Sequence, residues 1–322
     1  MVKRILKRLL FVCITIFIVI TFNFFLFRLM PGDIETRLQK STASQEVKDR
    51  IIEESGVNKP WYEQYASYLK SMFSGDLGTA YNSYDGHQRV ADIIWSRIPN
   101  TVILLVCAEI LAILLGMFIG VVCAYKRGRP LDTGLLSASL ALYSMPTFWF
   151  AMVLIFIFCS GLGWFPASGV KTAGTAYHGM KLVADYLKHM TLPMLCMGLV
   201  MVGSYAITMR STMIDILTED YITTARAKGF STRYILFKHA APNAMLPMST
   251  IIALNLSVVF GGAIQLETLF SWPGLGMLMY KALNARDYPV LQGCFLISTV
   301  AIILANFLMD ILYGFIDPRV KD

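Results

Sequence analysis

Long apolar runs, in place of the short stripes of an amphipathic surface helix, set the pattern of this chain. They fall at roughly Leu9 to Leu29, Thr101 to Ala124, Thr133 to Ser160, Leu192 to Met209, Leu246 to Ala263 and Val290 to Ile316. At about 1.5 Å per residue, the first run reaches about 30 Å, the thickness of a hydrocarbon core. A helix also satisfies its own backbone hydrogen bonds where no water can. The pattern predicts an all-α polytopic membrane protein with six transmembrane helices.

Of the polar stretches between the runs, residues 31–98 form the longest, with a globular-like composition. Ser44 can cap a short helix through Val47, Ile51 and Ile52 to Gly56. Pro60 suits the first position of a second helix, along which Trp61, Tyr65, Tyr68, Leu69, Met72 and Phe73 recur at three-to-four spacing until "SGDLG" stops it. That stripe reads as core or membrane-interface packing, with a substrate-facing aromatic surface as the alternative. Two shorter loops hold "GWFPASG" (Gly163 to Gly169) and "FSWPGLG" (Phe270 to Gly276), whose Trp, Pro and Gly content suits rigid turns at the interface.

Composition excludes an ordinary soluble domain, since 56% of residues are hydrophobic and only 15% charged, with a mean hydropathy of +0.58. Charge adds an orientation. Lys3, Arg4, Lys7 and Arg8 precede the first run, and Lys126, Arg127 and Arg129 occupy the second short loop, so both segments read as cytoplasmic. With six spans, both termini are expected on that side. The net charge of +7 then belongs to topology, and no basic patch with interleaved aromatics suggests nucleic acid. The first run is too long for a secretory signal and leads into "RLMPGD" with no small-residue cleavage site, so it reads as a retained anchor. Cys13, Cys107, Cys123, Cys159, Cys196 and Cys294 lie in or beside apolar runs and read as packing residues, with no disulfide framework.

The most informative polar segment is "EDYITTARAKGFSTRYILFKHAAPNAMLP", Glu219 to Pro247. It is too polar to span and too regular to be disordered. Thr218 or Asp220 can cap a helix that carries Ala225 and Ala227, and Gly229 can end it in a left-handed conformation. Its small residues would let another protein approach closely. An amphipathic helix lying on lipid would want a larger apolar face than this one has.

At this segment the sequence resembles the permease subunits of ATP-binding-cassette importers, whose cytoplasmic coupling loop carries an Ala-rich stretch, a fixed Gly and an apolar-Pro ending. Here these are Ala225, Ala227, Gly229, Leu246 and Pro247. "DYITTARAKG", "HAAPNAMLP", "GGAIQLETLFSWPGLG", "ARDYPVLQG" and "DILYGFIDPR" are similar to the dipeptide/oligopeptide/nickel permease family, and "MPGD", "GDLG" and "RIPNT" extend the resemblance upstream. In this order the blocks are highly specific. Where the broader superfamily often has Glu-Ala-Ala, this chain has "ITTARAKG", so no coupling Glu is carried over.

The resemblance implies a type I importer permease fold with a large extracytoplasmic insertion between the first two helices. The expected division is residues 1–30 for the cytoplasmic N-terminus and first helix, 31–98 for the extracytoplasmic domain, 99–316 for the permease core with its coupling loop at 211–247, and 317–322 for a cytoplasmic tail. It further implies a bacterial or archaeal cytoplasmic membrane, a second, homologous permease subunit, two ATPase subunits, and an extracytoplasmic substrate-binding protein. Tyr221, Ala225, Arg226, Lys228 and Gly229 are the residues expected to meet the ATPase, Ala225 and Gly229 by close approach, Arg226 and Lys228 by charged hydrogen bonds. The chain has no G-x-x-x-x-G-K-[ST] phosphate loop and no Gly-Lys pair, so ATP and Mg are expected on the partner ATPase, and no cofactor or metal is expected in this chain. Peptides are the expected cargo, with chelated nickel or oligosaccharide as alternatives.

Polar residues inside the runs are costly in lipid and usually face a bundle interior, a partner or a water-filled path. Glu109, Asn306 and Asp310 read as helix packing. Asn255 and Gln265 are candidate pathway-lining residues, and Glu267 matches the family block or ties down the "SWPGLG" turn. A membrane enzyme is disfavoured because His87, His178, His189 and His239 are dispersed and neither H-E-x-x-H nor G-x-S-x-G occurs. A passive channel would leave the docking loop without a purpose.

Overall fold

The computed structural model describes residues 2–29, 45–46, 48–49, 52, 59–81, 88–258 and 263–316. The helix expected from Ser44 to Gly56 falls, save for isolated positions, outside the described residues, as do "MPGD" and residues 317–322. The helices run in the order α1 (Val2–Leu29), α2 (Trp61–Phe73), α3 (Val90–Tyr125), α4 (Pro130–Ser144), α5 (Thr147–Leu154), α6 (Met180–Ile216), α7 (Asp220–Ala227), α8 (Thr232–Tyr234), α9 (Ala241–Val258), α10 (Ile264–Leu269), α11 (Leu275–Ala285) and α12 (Tyr288–Ile316). π-Helical turns extend α5 over Ile155–Gly161 and join α8 to α9 over Ile235–Ala240.

Leu6–Leu29 within α1, α3, α6 and Tyr288–Met309 within α12 are each long and apolar enough to cross a membrane. The expected third span is not one straight helix: α4 and the α5 helix with its π-turn meet at a bend of 105°. Pro146 causes it, because proline disfavours the helical region for the residue before it, and Met145 accordingly takes φ −75° and ψ 133°. Counting that bent pair as one span gives five among the described residues, one short of the six expected. The remaining expected span, Leu246 to Ala263, corresponds to α9, and residues 259–262 lie outside the described residues. Both α3 and α6 begin about a dozen residues before the runs that announced them, and α3 carries Pro99 within the added turns.

Two compact units divide the chain. The first gathers residues 1–101, 260–264 and 273–307. Its core packs Phe27 with Val90 and Ile94 and with Met279, Leu291 and Cys294. α2 lies on α1 through rings: Phe24 stands 5.2 Å from Tyr65 and 5.3 Å from Tyr68, and the Tyr65 and Thr21 hydroxyls share a 2.7 Å hydrogen bond. The packing reading of the Trp61 to Phe73 stripe is thus met at its centre, while Trp61 and Phe73 at its ends are exposed.

The second unit gathers residues 102–259, 265–272 and 308–322. Its helices approach through glycines. A Cβ at Gly116 or Gly120 would lie 2.5 or 2.6 Å from the Cβ of Tyr205 or Met209 on α6. A Cβ at Gly203 would lie 2.6 Å from both the Ser139 carbonyl oxygen and the Tyr143 Cβ on α4. Small residues at these crossings let helix backbones come close, which in lipid replaces the missing hydrophobic drive for association.

Candidate functional site

The segment that follows α6 builds the candidate site. α6 ends at Ile216, and Leu217 to Glu219 turn the chain into α7. Glu219 occupies the N-cap position and no side chain caps the helix, so neither Thr218 nor Asp220 plays the expected capping role. Thr218 instead donates to the Asp215 carbonyl at 2.6 Å. The end of α7 is as expected: Gly229 adopts φ +81°, its N–H bonds the Arg226 carbonyl at 2.9 Å, and the Phe230 N–H reaches back to the Ala225 carbonyl at 3.3 Å.

One face of α7 is seated on the unit's own core. Ile222 and Ala225 are buried in the cluster that contains Met213, Ile235, Leu236 and Met248. Ala225 is therefore not free to receive another protein, contrary to the close approach expected of it; a residue three positions after Ile222 shares its inward face. The outward face carries Tyr221, Arg226, Lys228 and Gly229, all exposed, together with Ala227. Tyr221 is fixed in place, its hydroxyl accepting from the Asn243 amide at 2.9 Å, while the same amide donates to the His239 carbonyl at 2.8 Å. Beyond Gly229, Ser231 accepts from the Tyr234 N–H at 3.3 Å, and the rings of Phe230 and Tyr234 sit 5.0 Å apart, Tyr234 and His239 5.4 Å apart. The result is a short polar helix beside exposed aromatic surface at Phe230, Tyr234 and Phe237.

A second feature, which the sequence reading missed, braces this region. Arg210 in the penultimate turns of α6 grips Asp132 on α4 with two bonds of 2.7 Å, and Asp132 also accepts from the Gly128 N–H at 3.0 Å. Asp132 is only 2% exposed. The bidentate fork fixes both position and angle. A basic and an acidic residue at the ends of apolar runs was the available signal, but nothing local says that positions 78 apart in sequence pair.

The intramembrane candidates separate. Asn255 donates to the Tyr205 hydroxyl at 2.8 Å, and Tyr205 in turn donates to Glu109, so Asn255 and Glu109 belong to one buried polar chain. Glu109 is buried, as a packing role requires, although its other carboxylate oxygen has no hydrogen-bond partner. Gln265 is exposed on α10 and is not brought to Asn255 by any described hydrogen bond. Asn306 is exposed on α12 rather than packed inside this chain, and the side chain of Asp310 lies outside the described residues. Glu267 is fully buried, and its backbone carbonyl accepts from the Trp272 N–H at 2.7 Å, closing the turn through the main chain. That turn also receives the Gly169 N–H at the Phe270 carbonyl, 2.9 Å, and Trp272 meets Tyr186 edge-on at 5.3 Å, so the two Trp-Pro-Gly loops support one another. Among the described residues no group of three His, Cys, Asp or Glu could hold a metal ion.

Comparison with known proteins places this architecture. The family model described as binding-protein-dependent transport system inner membrane component matches residues 89–322, and the corresponding N-terminal model matches residues 1–105. The chain is 36% identical over 299 residues to the oligopeptide transport system permease protein AppB of Bacillus subtilis, covering 93% of each. It is 35% identical over 342 residues to the di/tripeptide transport system permease protein DppB of Pseudomonas aeruginosa, covering 100% of this chain and 99% of the relative. The glutathione transport system permease protein GsiC of Escherichia coli is 34% identical over 321 residues, with the same coverage. Among solved structures, an inward-facing MetNI methionine ABC transporter aligns with a TM-score of 0.56 at 14% identity, over 70% of this chain and 96% of that one, a likeness of fold.

Proposed function

The chain belongs to the binding-protein-dependent transport system inner membrane components, and from that premise we propose that it is the transmembrane permease subunit of an ATP-binding-cassette importer for peptides. The observation that carries the cargo is that relatives 34 to 36% identical over nearly the whole chain are named for oligopeptides, di/tripeptides and glutathione. None of these names nickel or an oligosaccharide, which leaves those alternatives without support.

In this reading the outward face of α7, with Tyr221, Arg226, Lys228 and Gly229, docks on a separate ATPase that binds ATP and Mg. A homologous second permease subunit completes the pathway, and an extracytoplasmic protein delivers cargo. The basic first turns and the Lys126 to Arg129 loop support cytoplasmic termini in the inner membrane. The chain itself then catalyses nothing. Its part is mechanical: a push on α7 reaches α6 and α9 because Ile222 and Ala225 are packed into the core those helices share, and because Tyr221 is bonded to Asn243 at the base of α9. Close-packed interiors pass such displacements on with little slack.

The test is uptake by the assembled complex in proteoliposomes, with labelled di- and oligopeptides, chelated nickel and oligosaccharide offered separately, with and without ATP. ATP-dependent accumulation of peptide is the expected result. Entry of nickel or sugar alone would refute the cargo, and equal flux without ATP would refute the importer.

A further inference from the structure

Beside α7 lies a groove of about 420 Å³ whose lining mixes two kinds of chemistry. Arg127 and Arg226 provide guanidinium groups and Thr232 a hydroxyl, while Ile214, Leu217 and Leu236 supply apolar wall. None of the lining residues is acidic. Both arginines are exposed, and among the described residues neither has a side-chain hydrogen bond or ion pair. Two positive charges with an adjoining apolar wall suit one ligand class: an anion carrying a hydrocarbon tail.

The site is built rather than incidental. Arg127 sits in the tight turn between α3 and α4, where its own N–H bonds the Ala124 carbonyl at 3.3 Å and the Arg129 N–H bonds Lys126 at 2.9 Å. The neighbouring Gly128, at φ +75°, is held by buried Asp132, which Arg210 fixes in turn. Arg127 is thus carried on a braced loop.

Position along α6 identifies the source of the anion. Ile214 lies five residues beyond Met209, where the apolar run of α6 ends. That is about 7.5 Å along the axis, inside the polar headgroup layer of roughly 5–8 Å that covers each side of the hydrocarbon core. Tyr125, the last residue of α3, lines the same groove. Basic pockets between membrane helices on the cytoplasmic side are suited to anionic lipid headgroups.

We propose that this groove binds the phosphodiester of an anionic phospholipid, with Arg127 and Arg226 on the phosphate and the glycerol end of the lipid against Ile214 and Leu236. The inference rests on the cytoplasmic orientation proposed above for this end of α6. Arg226 then serves both the groove and the outward face of α7, so the bound lipid touches the helix that meets the ATPase.

The experiment follows the thermal unfolding of the full chain in neutral detergent while short-chain phosphatidylglycerol, phosphatidylcholine or inorganic phosphate is added. The variants are Arg127→Gln, Arg226→Gln and, outside the groove, Arg129→Gln, which removes the same charge. Phosphatidylglycerol is expected to raise the midpoint saturably, with half-saturation about tenfold weaker in each groove variant, as loss of one charge-assisted bond implies, and unchanged in Arg129→Gln. Equal weakening in all three variants would reduce the effect to general attraction and overturn the site. A matching shift from inorganic phosphate would overturn the lipid, and loss of the response on adding the ATPase subunits would assign the groove to a protein contact. The readout needs neither ATP nor cargo, so failure of the importer reading would show separately, in the uptake assay.

Discussion

The two units bury helix against helix with residues of opposite size. In the first, α1 and α2 meet through Phe24, Tyr65 and Tyr68, rings that fill a wide gap. In the second, α6 meets α3 and α4 at Gly116, Gly120 and Gly203, where there is no gap to fill. The difference follows from what each contact is for. Rings anchor a short helix of only 13 residues to a long one, and an aromatic contact can slide or tilt without losing its area. Glycine contacts fix long helices backbone to backbone, and any added atom must displace something rigid. The second unit also carries polar bonds between side chains of different helices, Asp132 with Arg210 and Glu109 with Tyr205 and Asn255.

Five substitutions test this contrast. Asp132→Ala should be the most damaging, at about 3–5 kcal/mol, because it strands the Arg210 guanidinium without its partner. Chemical unfolding of the purified chain measures it, and an unchanged midpoint would mean that the pair does not brace the unit. Gly203→Val should follow, at or above the upper end of the roughly 1–3 kcal/mol that overpacking costs, since the obstructing atoms are a backbone oxygen and a Cβ. The companion change Gly293→Ala in the first unit should cost less, because the atoms it meets, Val90 Cγ1 and Ile94 Cδ1, are side-chain ends able to turn away.

Gly229→Val should cost only about 1–2 kcal/mol of backbone strain at φ +81°, there being nothing within 4 Å of a Cβ placed there. ATP-driven uptake should nonetheless be abolished with membrane insertion intact, and retained transport would remove α7 from the docking face. Tyr65→Phe should be mildest, at about 0.5–1.5 kcal/mol for the hydroxyl bond to Thr21. If its unfolding midpoint fell as far as that of Gly203→Val, the contrast between yielding rings and unyielding glycines would be wrong.

What could be read in the sequence was what is local. Runs of apolar residues announced the long helices, and Gly229 after "ARAK" announced a left-handed stop that the backbone adopts. The bend at Met145 and Pro146 was also written there, but apolar residues on both sides made one uninterrupted run out of two segments. Ala225 was read as a contact surface because smallness alone does not say which way a residue points. Its inward direction depends on Ile235 and Leu236, which return to cover it only after the turn. The pairing of Arg210 with Asp132, and the meeting of Gly169 with Phe270, join distant stretches, and no periodicity records which distant residues a fold brings together.

One helix gives the second unit a further property. α6 has 37 residues, with Pro193 in its first half, and spans about 55 Å at about 1.5 Å per residue, nearly twice the hydrocarbon thickness. Near one end are Arg210 and Met213, joined to the bracing pair and to the seat of α7. Near the other, Asp185 accepts two bonds of 2.7 Å from Thr172, and Tyr186 rests on Trp272. Turned as one body, such a helix would act as a lever: a tilt of about 5° around its middle would carry the two ends about 2 Å in opposite directions, by the same rise per residue. In that motion an event at one membrane face would be registered at the other with no atom having to travel between them.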